Sequence, residues 1–393
     1  LSVRISKRLG AMTRLYMVAA EPSGDLLAAE VIDEMRALST DLELAGVGGE
    51  AMAARGIVSP IDITPLSIVG IFDGLKVYGT VLKLVEATVE DILSFAPDAL
   101  VLVDSWGFMV RVAERVRARA PHINLVKLVG PQVWATRAGR AKKMAAKVDQ
   151  MIAIHEMEVP YYEPFDLPVT VMGNPALYRA EIGDGAAYRE AAGIGPDDDV
   201  LLVLPGSRPS ELRRVAPTLV KAAREVKSAK PETHLIFAPA ASIRQGFLDA
   251  FPDLKEIGTV TDDSMNAADL MSAATLALAC SGTVTSELAV QKTPFLVGYK
   301  AGWMTWAVAR YFLFKPNHVT LLNIAADDKE IAPEFLQTKF KADTIAERAI
   351  ALLDDKDALT AQVEAQNKAL SRMRAEGDEK PQMIAAKAIL AAI

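Results

Sequence analysis

Short, largely apolar runs recur along the first half of the chain, separated by stretches with helical spacing of apolar positions. Leu15-Tyr16-Met17-Val18-Ala19-Ala20, Ala99-Leu100-Val101-Leu102-Val103, Leu125-Val126-Lys127-Leu128-Val129 and Met151-Ile152-Ala153-Ile154 read as strands buried on both faces. The segments 109–119 and 138–147 read as helices between them. Continuous rather than alternating strands, with helices interposed, predict βαβ units and a parallel sheet. The pattern starts afresh at Val200-Leu201-Leu202-Val203-Leu204 and continues through Leu235-Ile236-Phe237, Leu276-Ala277-Leu278-Ala279 and Pro294-Phe295-Leu296-Val297-Gly298.

A chain of 393 residues exceeds one ordinary core, so the two blocks predict two domains. The break falls at Gly173-Asn174-Pro175, where Pro and Gly interrupt the pattern and an Ala-, Gly- and Asp-rich stretch (181–199) follows. From 342 onward Ala, Glu, Lys and Leu dominate, the composition of terminal helices that fold back. The expected architecture is α/β, with two Rossmann-like domains at 12–174 and 175–340 facing a central cleft. Helices at 341–393 are expected to bridge them.

The formal charge of −7 argues against a nucleic-acid binder, whose affinity rests on many cationic contacts to phosphate. A lone cysteine, Cys280, rules out an internal disulfide and a multi-cysteine zinc site, which fits a reducing cytoplasm. At a strand end it reads as a small buried residue and not a nucleophile. Residues 1–14 carry Arg4, Lys7, Arg8 and Arg14 with no long apolar stretch after them, so neither a signal peptide nor a membrane span is expected, and Met12 is a candidate start. The aromatic-aliphatic run Trp303–Phe314 is shorter than the roughly 20 residues that cross a bilayer and reads as a core or interfacial helix.

Open parallel sheets bind ligands beyond the carboxyl ends of their strands, and four loops qualify. Glu21-Pro22-Ser23-Gly24-Asp25 follows the first strand. Gly24 permits close backbone approach, while Ser23 or Asp25 either serves a ligand or caps a helix starting near Leu26. Asp104-Ser105-Trp106-Gly107 ends another strand in a carboxylate that is either a general base or a cap. Pro205-Gly206-Ser207-Arg208 offers a flexible backbone and a fixed positive charge, suited to a phosphate or to a surface ion pair. Ser281-Gly282-Thr283 opens a helix that carries Glu287 one turn on, placed either to accept both hydroxyls of a ribose or to stand in solvent.

In order along the chain, these loops resemble the lipid-A-disaccharide synthase family, inverting glycosyltransferases of GT-B architecture. The resemblance runs from about Leu15 to about residue 340. It includes Ala20–Asp25, Gly46-Val47-Gly48-Gly49, Pro97-Asp98 with Asp104, Pro131-Gln132-Val133-Trp134, Leu204–Arg208, Ser281–Thr283 with Glu287, Gly298-Tyr299-Lys300 and Asn323. It implies transfer of diacylglucosamine from its UDP derivative to the 6-hydroxyl of diacylglucosamine 1-phosphate, a membrane-held acceptor, on the cytoplasmic face of the inner membrane. The first domain would then bind acceptor and the second UDP-sugar. Asp104, Glu21 and Ser23 would be catalytic, with Gly24, Gly206, Ser207, Arg208, Ser281, Gly282, Thr283, Glu287 and Asn323 binding substrate. No cofactor is implied. No metal is required either, because Arg208 and a helix start can hold a diphosphate and none of the four loops carries an Asp-x-Asp pair or a His cluster.

The chain departs from the family pattern at three places. Asp104 is followed by Ser105-Trp106-Gly107-Phe108 in place of an Asp-Ala-Pro-Asp-Phe pattern, and Thr136 and Asn174 stand where Trp and His are usual. Two other readings fit the same loops: another UDP-sugar enzyme of this architecture, such as an N-acetylglucosamine transferase or 2-epimerase, and a catalytically silent UDP- or lipid-binding relative. For a membrane-held acceptor, Arg111, Arg115, Arg117, Arg119, Lys127, Arg137, Arg140, Lys142, Lys143 and Lys147 predict a basic face for an anionic leaflet. Ile68–Phe72 and Trp106–Val110 are apolar segments for acyl chains or for the core. An oligomer is compatible with all of this.

Overall fold

The apolar runs form strands, all paired in parallel. The computed structural model describes residues 12–63, 74–135, 137–302, 306, 315–375 and 377–393. The chain divides into two units, one made of residues up to Tyr178 together with Met373–Ile393, the other of Arg179–Arg372.

The first unit is built on β1 (Thr13–Ala19), β2 (Leu42–Val47), β3 (Ala99–Val103), β4 (Asn124–Leu128), β5 (Gln150–Ala153) and β6 (Val169–Val171). They lie in the order β2-β1-β3-β4-β5-β6. Alternate residues of a strand face opposite ways, and both faces are covered. Tyr16, Leu100, Leu102 and Leu125 pack beneath the helices 74–95 and 106–119, whereas Leu15, Met17, Val101 and Val126 pack beneath Pro22–Leu38. The last helix, Pro381–Ala391, joins the second layer through Ala385 and Ile389. Gln382 there donates to Glu30 Oε2 at 2.8 Å, and Asn124 Nδ2 donates to the carbonyl of Ala392 at 2.7 Å.

The second unit repeats the plan with β7 (Val200–Leu204), β8 (His234–Phe237), β9 (Thr259–Val260), β10 (Leu276–Cys280), β11 (Phe295–Tyr299) and β12 (Glu334–Leu336), in the order β12-β11-β10-β7-β8-β9. The helices Ala216–Ala229 and Ala342–Leu353 cover one face, around Leu201, Val203, Leu278 and Leu296. The helices after residue 341 are thus shared: Ala342–Leu353 completes the core of the second unit and Pro381–Ala391 that of the first. The strands β6, β9 and β12 are short and only partly buried, which is why no apolar run announces them. Among the described residues, no helix is long and apolar enough to cross a membrane.

Candidate active site

In an open parallel sheet, the loops flanking the point where strand order reverses splay apart and leave a crevice. In the first sheet that point lies between β1 and β3, in the second between β7 and β10. The loops that follow those strands are Ala20–Asp25 and Asp104–Gly107, then Pro205–Arg208 and Ser281–Thr283. These are the four loops singled out by residue type.

After β1 the helix begins at Pro22, earlier than the expected start near Leu26, because proline fits a helix's first position. Glu21 and Ser23 are exposed and neither side chain caps the helix. Asp25 is buried and caps a different helix. Its Oδ1 accepts from the amides of Gly49 at 2.7 Å and Met52 at 3.2 Å, and its Oδ2 from Ala51 at 2.8 Å. A Cβ on Gly48 or Gly49 would lie 2.9 or 2.8 Å from that carboxylate, so these glycines serve its approach. A Cβ on Gly24 would meet nothing closer than Val103 Cγ1 at 3.5 Å; packing alone does not demand a glycine there.

After β3 the backbone turns sharply. Asp104 and Ser105 have φ of +48° and +36°, a left-handed conformation costly for residues with a Cβ. The turn leaves the Asp104 carboxylate part-exposed at the sheet's carboxyl end. Ser105, not Asp104, stands at the N-cap of the helix that follows, and it makes no side-chain cap bond.

In the second unit, Gly206 sits at φ +113°, and a Cβ there would lie 2.6 Å from Glu211 Oε2. That oxygen accepts from the amides of Ser207 at 2.8 Å and Arg208 at 3.2 Å, closing the loop from the helix Pro209–Arg214. Ser242 Oγ donates to the carbonyl of Ser207 at 2.6 Å. Arg208 projects with 75% of its side chain exposed, and its ion pair with Glu211, at 3.6 Å, is long. Gly282 and Thr283 are exposed, and Gly282 has open space where a Cβ would be. Glu287 lies in the first turn of Val284–Val290, an exposed residue whose carboxyl is raised by partial burial. Cys280, just before this loop, is buried, and desolvation pushes its thiol up to about 12, as a structural cysteine requires.

A profile of the family described as lipid-A-disaccharide synthetase matches residues 15–388. The chain belongs to the lipid-A-disaccharide synthase family. It is therefore a glycosyltransferase, of the hexosyltransferase class. It is 33% identical over 378 residues to the lipid-A-disaccharide synthase of Rhodospirillum centenum, covering 96% of this chain and 94% of that one. To the enzyme of Paramagnetospirillum magneticum it is 34% identical, covering 96% of each. Among solved structures it is similar to MurG from Acinetobacter baumannii, with TM-score 0.58, 12% identity and coverage of 96% and 99%. It is also similar to UDP-GlcNAc 2-epimerase from Neisseria meningitidis bound to UDP-GlcNAc, with TM-score 0.57, 14% identity and coverage of 97% and 99%. At such identities the likeness is one of GT-B fold.

In this member of the lipid-A-disaccharide synthase family, one expected substrate residue has its side chain committed within the fold. Asn323 is fully buried, with both ends of its amide in use. Its Oδ1 accepts from Ile331 and Ala332, and its Nδ2 donates to the Ala332 carbonyl and to Glu334. It holds the segment before β12 together and has no polar atom left for a ligand.

A charged layer beneath the first sheet's carboxyl end was not anticipated. Lys127 on β4 is wholly buried, and its ammonium donates to the carbonyls of Asp104 at 2.6 Å, Leu102 at 3.1 Å and Leu128 at 3.2 Å. Desolvation lowers it to about 7, against the attraction of Asp104, Glu158 and Glu21. Glu158 is buried and raised to about 7 by the same cause; its Oε1 accepts from the amides of Ile154 at 3.2 Å and His155 at 3.1 Å. Burial holds His155 down at about 4. A Cβ on Gly130 would lie 2.7 Å from Glu158 Oε2 and 3.1 Å from the Tyr162 hydroxyl, so the glycine lets both approach the backbone after β4. The signal for Lys127 was a cation in the middle of an apolar strand. The signal for Glu211 was its place three residues after the loop's arginine, where an N-terminal helix glutamate reaches back.

The expected basic face is smaller than its composition. Lys127 is interior, Arg115 and Arg119 pair with Glu86, Arg119 also with Glu90, Arg117 with Asp149 and Lys147 with Glu114. Arg111 donates to the carbonyl of Gly107 at 2.5 Å. Arg137, Arg140, Lys142 and Lys143 remain, on and beside the helix Gly139–Ala145, with Arg140 lying over the Trp106 ring at 5.3 Å. Of Trp106–Val110, Phe108 and Met109 are core. The segments Ile68–Phe72 and Trp303–Phe314, apart from Trp306, lie outside the described residues, as does Thr136.

Proposed function

We propose that this chain transfers diacylglucosamine from UDP-2,3-diacylglucosamine to the 6-hydroxyl of 2,3-diacylglucosamine 1-phosphate, giving the β-1,6 disaccharide and UDP. The observation that carries this reading is the coincidence of the family's motif loops with the two points of strand-order reversal. Asp104 takes the proton of the attacking hydroxyl, with Glu21 and Ser23 beside it at the same crevice and Gly24 giving the substrate close access to the backbone. Arg208, held by the Gly206-Ser207 turn, neutralises the charge that grows on the departing diphosphate. The amides at Ser281-Gly282-Thr283 add to it, and Glu287 accepts from the ribose hydroxyls. No step calls for a metal or cofactor. The acceptor's location puts the enzyme on an anionic membrane surface at the cytoplasmic side, with Arg137, Arg140, Lys142 and Lys143 as the docking cations.

Mass spectrometry of the products from UDP-2,3-diacylglucosamine and 2,3-diacylglucosamine 1-phosphate tests the reading. A disaccharide phosphate together with UDP is expected. Turnover of UDP-sugar without acceptor would point to an epimerase, and UDP binding without product to a silent relative.

A further inference from the structure

Two backbone turns at neighbouring strand ends are strained, and one buried cation touches both. Asp104 and Ser105, after β3, have φ of +48° and +36°; Val129, after β4, has φ of +66°, which is rare for a β-branched side chain. Each such residue costs on the order of 1–3 kcal/mol and persists only where its surroundings enforce it. The Asp104 amide donates to the Leu128 carbonyl at 2.9 Å, and the Val129 amide to the Ile152 carbonyl at 2.9 Å. The Lys127 ammonium donates to the carbonyl of Asp104, the peptide immediately before Ser105, and to that of Leu128, immediately before Val129. Its third bond goes to Leu102, back along β3.

We propose that Lys127 is a positioning residue for the transfer reaction: its buried ammonium pins the carbonyls before both left-handed turns and so fixes where the Asp104 carboxylate stands. Lysine suits this role because its three N–H bonds match three carbonyls, and bonds from a charged donor are stronger than those from a neutral one. The attraction of Asp104, Glu158 and Glu21 offsets part of the cost of burying that charge. Lys127 does not touch substrate in this scheme; it acts through Asp104. The inference rests on Asp104 as the base, and the experiment separates the two claims.

The test compares steady-state kinetics of the full chain with Lys127→Met, Ser105→Gly, their combination, and Asp104→Asn. Lys127→Met is expected to lower kcat about tenfold or more while donor KM moves less than about threefold, the pattern of an interaction felt in the transition state. Glycine adopts positive φ without strain, so in the Ser105→Gly background the turn needs the lysine less. There, the same substitution is expected to cost about threefold or less, a non-additivity that a general packing defect does not produce. Equal losses in both backgrounds, or a Lys127→Met enzyme with parental kcat beside an inactive Asp104→Asn, would overturn the role of Lys127 alone. A fully active Asp104→Asn would instead overturn the reading of the site. If Lys127→Met does not fold, the combined variant is expected to fold and to show activity. Failure of both to fold would mean that the lysine supports the whole sheet and not the turn.

Discussion

The Asp104 carboxylate, proposed as the base, stands where a backbone turn puts it. The left-handed pair at Asp104 and Ser105 ends β3 and leaves that carboxylate part-exposed at the crevice. Asp104→Asn keeps this shape and cannot accept a proton, so UDP binding is expected to persist while kcat falls about 10²–10⁴-fold, the usual contribution of a positioned base. Calorimetric UDP titration beside a product assay checks it, and parental turnover would remove Asp104 from the chemistry. Arg208 makes a different case, because its guanidinium is exposed and only loosely held by Glu211. Arg208→Ala is expected to weaken UDP by about tenfold or more and uridine hardly at all, since a charge-assisted bond to phosphate is worth about 1.5–3 kcal/mol. Equal weakening of both ligands would place the side chain near the base or ribose.

Among the elements, the apolar strands were legible in the sequence because burial on both faces leaves a continuous run. The loops at their carboxyl ends were legible by residue type. Their gathering was not: strand order depends on which strands pair, and no local pattern records that β1 lies between β2 and β3 or β7 between β8 and β10. Partners were misread for a related reason. Asp25 is near in sequence to the helix it was expected to cap and near in space to Gly49 and Ala51. Asn323 stands at a motif position and serves the chain before β12. The buried layer under β3, β4 and β5 also depends on pairing, and it has a titration signature. Glu158 ionises near 4.5 when exposed and near 7 in the folded chain. Between those values the folded state holds a proton that the unfolded chain has lost, so this group's contribution to stability falls as pH rises through the window, by about 3 kcal/mol. Lys127, depressed from 10.5 to about 7, acts oppositely between those values, its contribution rising with pH. Glu158→Gln is therefore expected to gain stability over the parent by about that amount between pH 4.5 and pH 7 in denaturant melts. Parallel pH curves for the two proteins would assign the ionisation to another group.

At the scale of the whole molecule, net charge and local charge have opposite signs. The chain carries −7, yet ion pairing along 111–147 leaves Arg137, Arg140, Lys142 and Lys143 as a compact cationic patch. Each such residue near an anionic leaflet contributes about 1 kcal/mol, and screening weakens it beyond about 8 Å at physiological salt. The protein is expected to sediment with anionic vesicles at low salt, to release as ionic strength rises, and to lose that binding when the four are neutralised together. Binding that resists both salt and those substitutions would mean apolar insertion instead.

The first unit is interrupted in the chain, since its last helix arrives only after the whole second unit has been written. On the ribosome, Arg179–Arg372 can fold as one continuous piece, while the earlier sheet emerges first and must wait with one layer incomplete. Until Ala385, Ala386 and Ile389 are made, the face of Pro22–Leu38 that they cover has no partner from the chain's end. Of the two units, the one whose sheet is synthesised first is thus the one completed last.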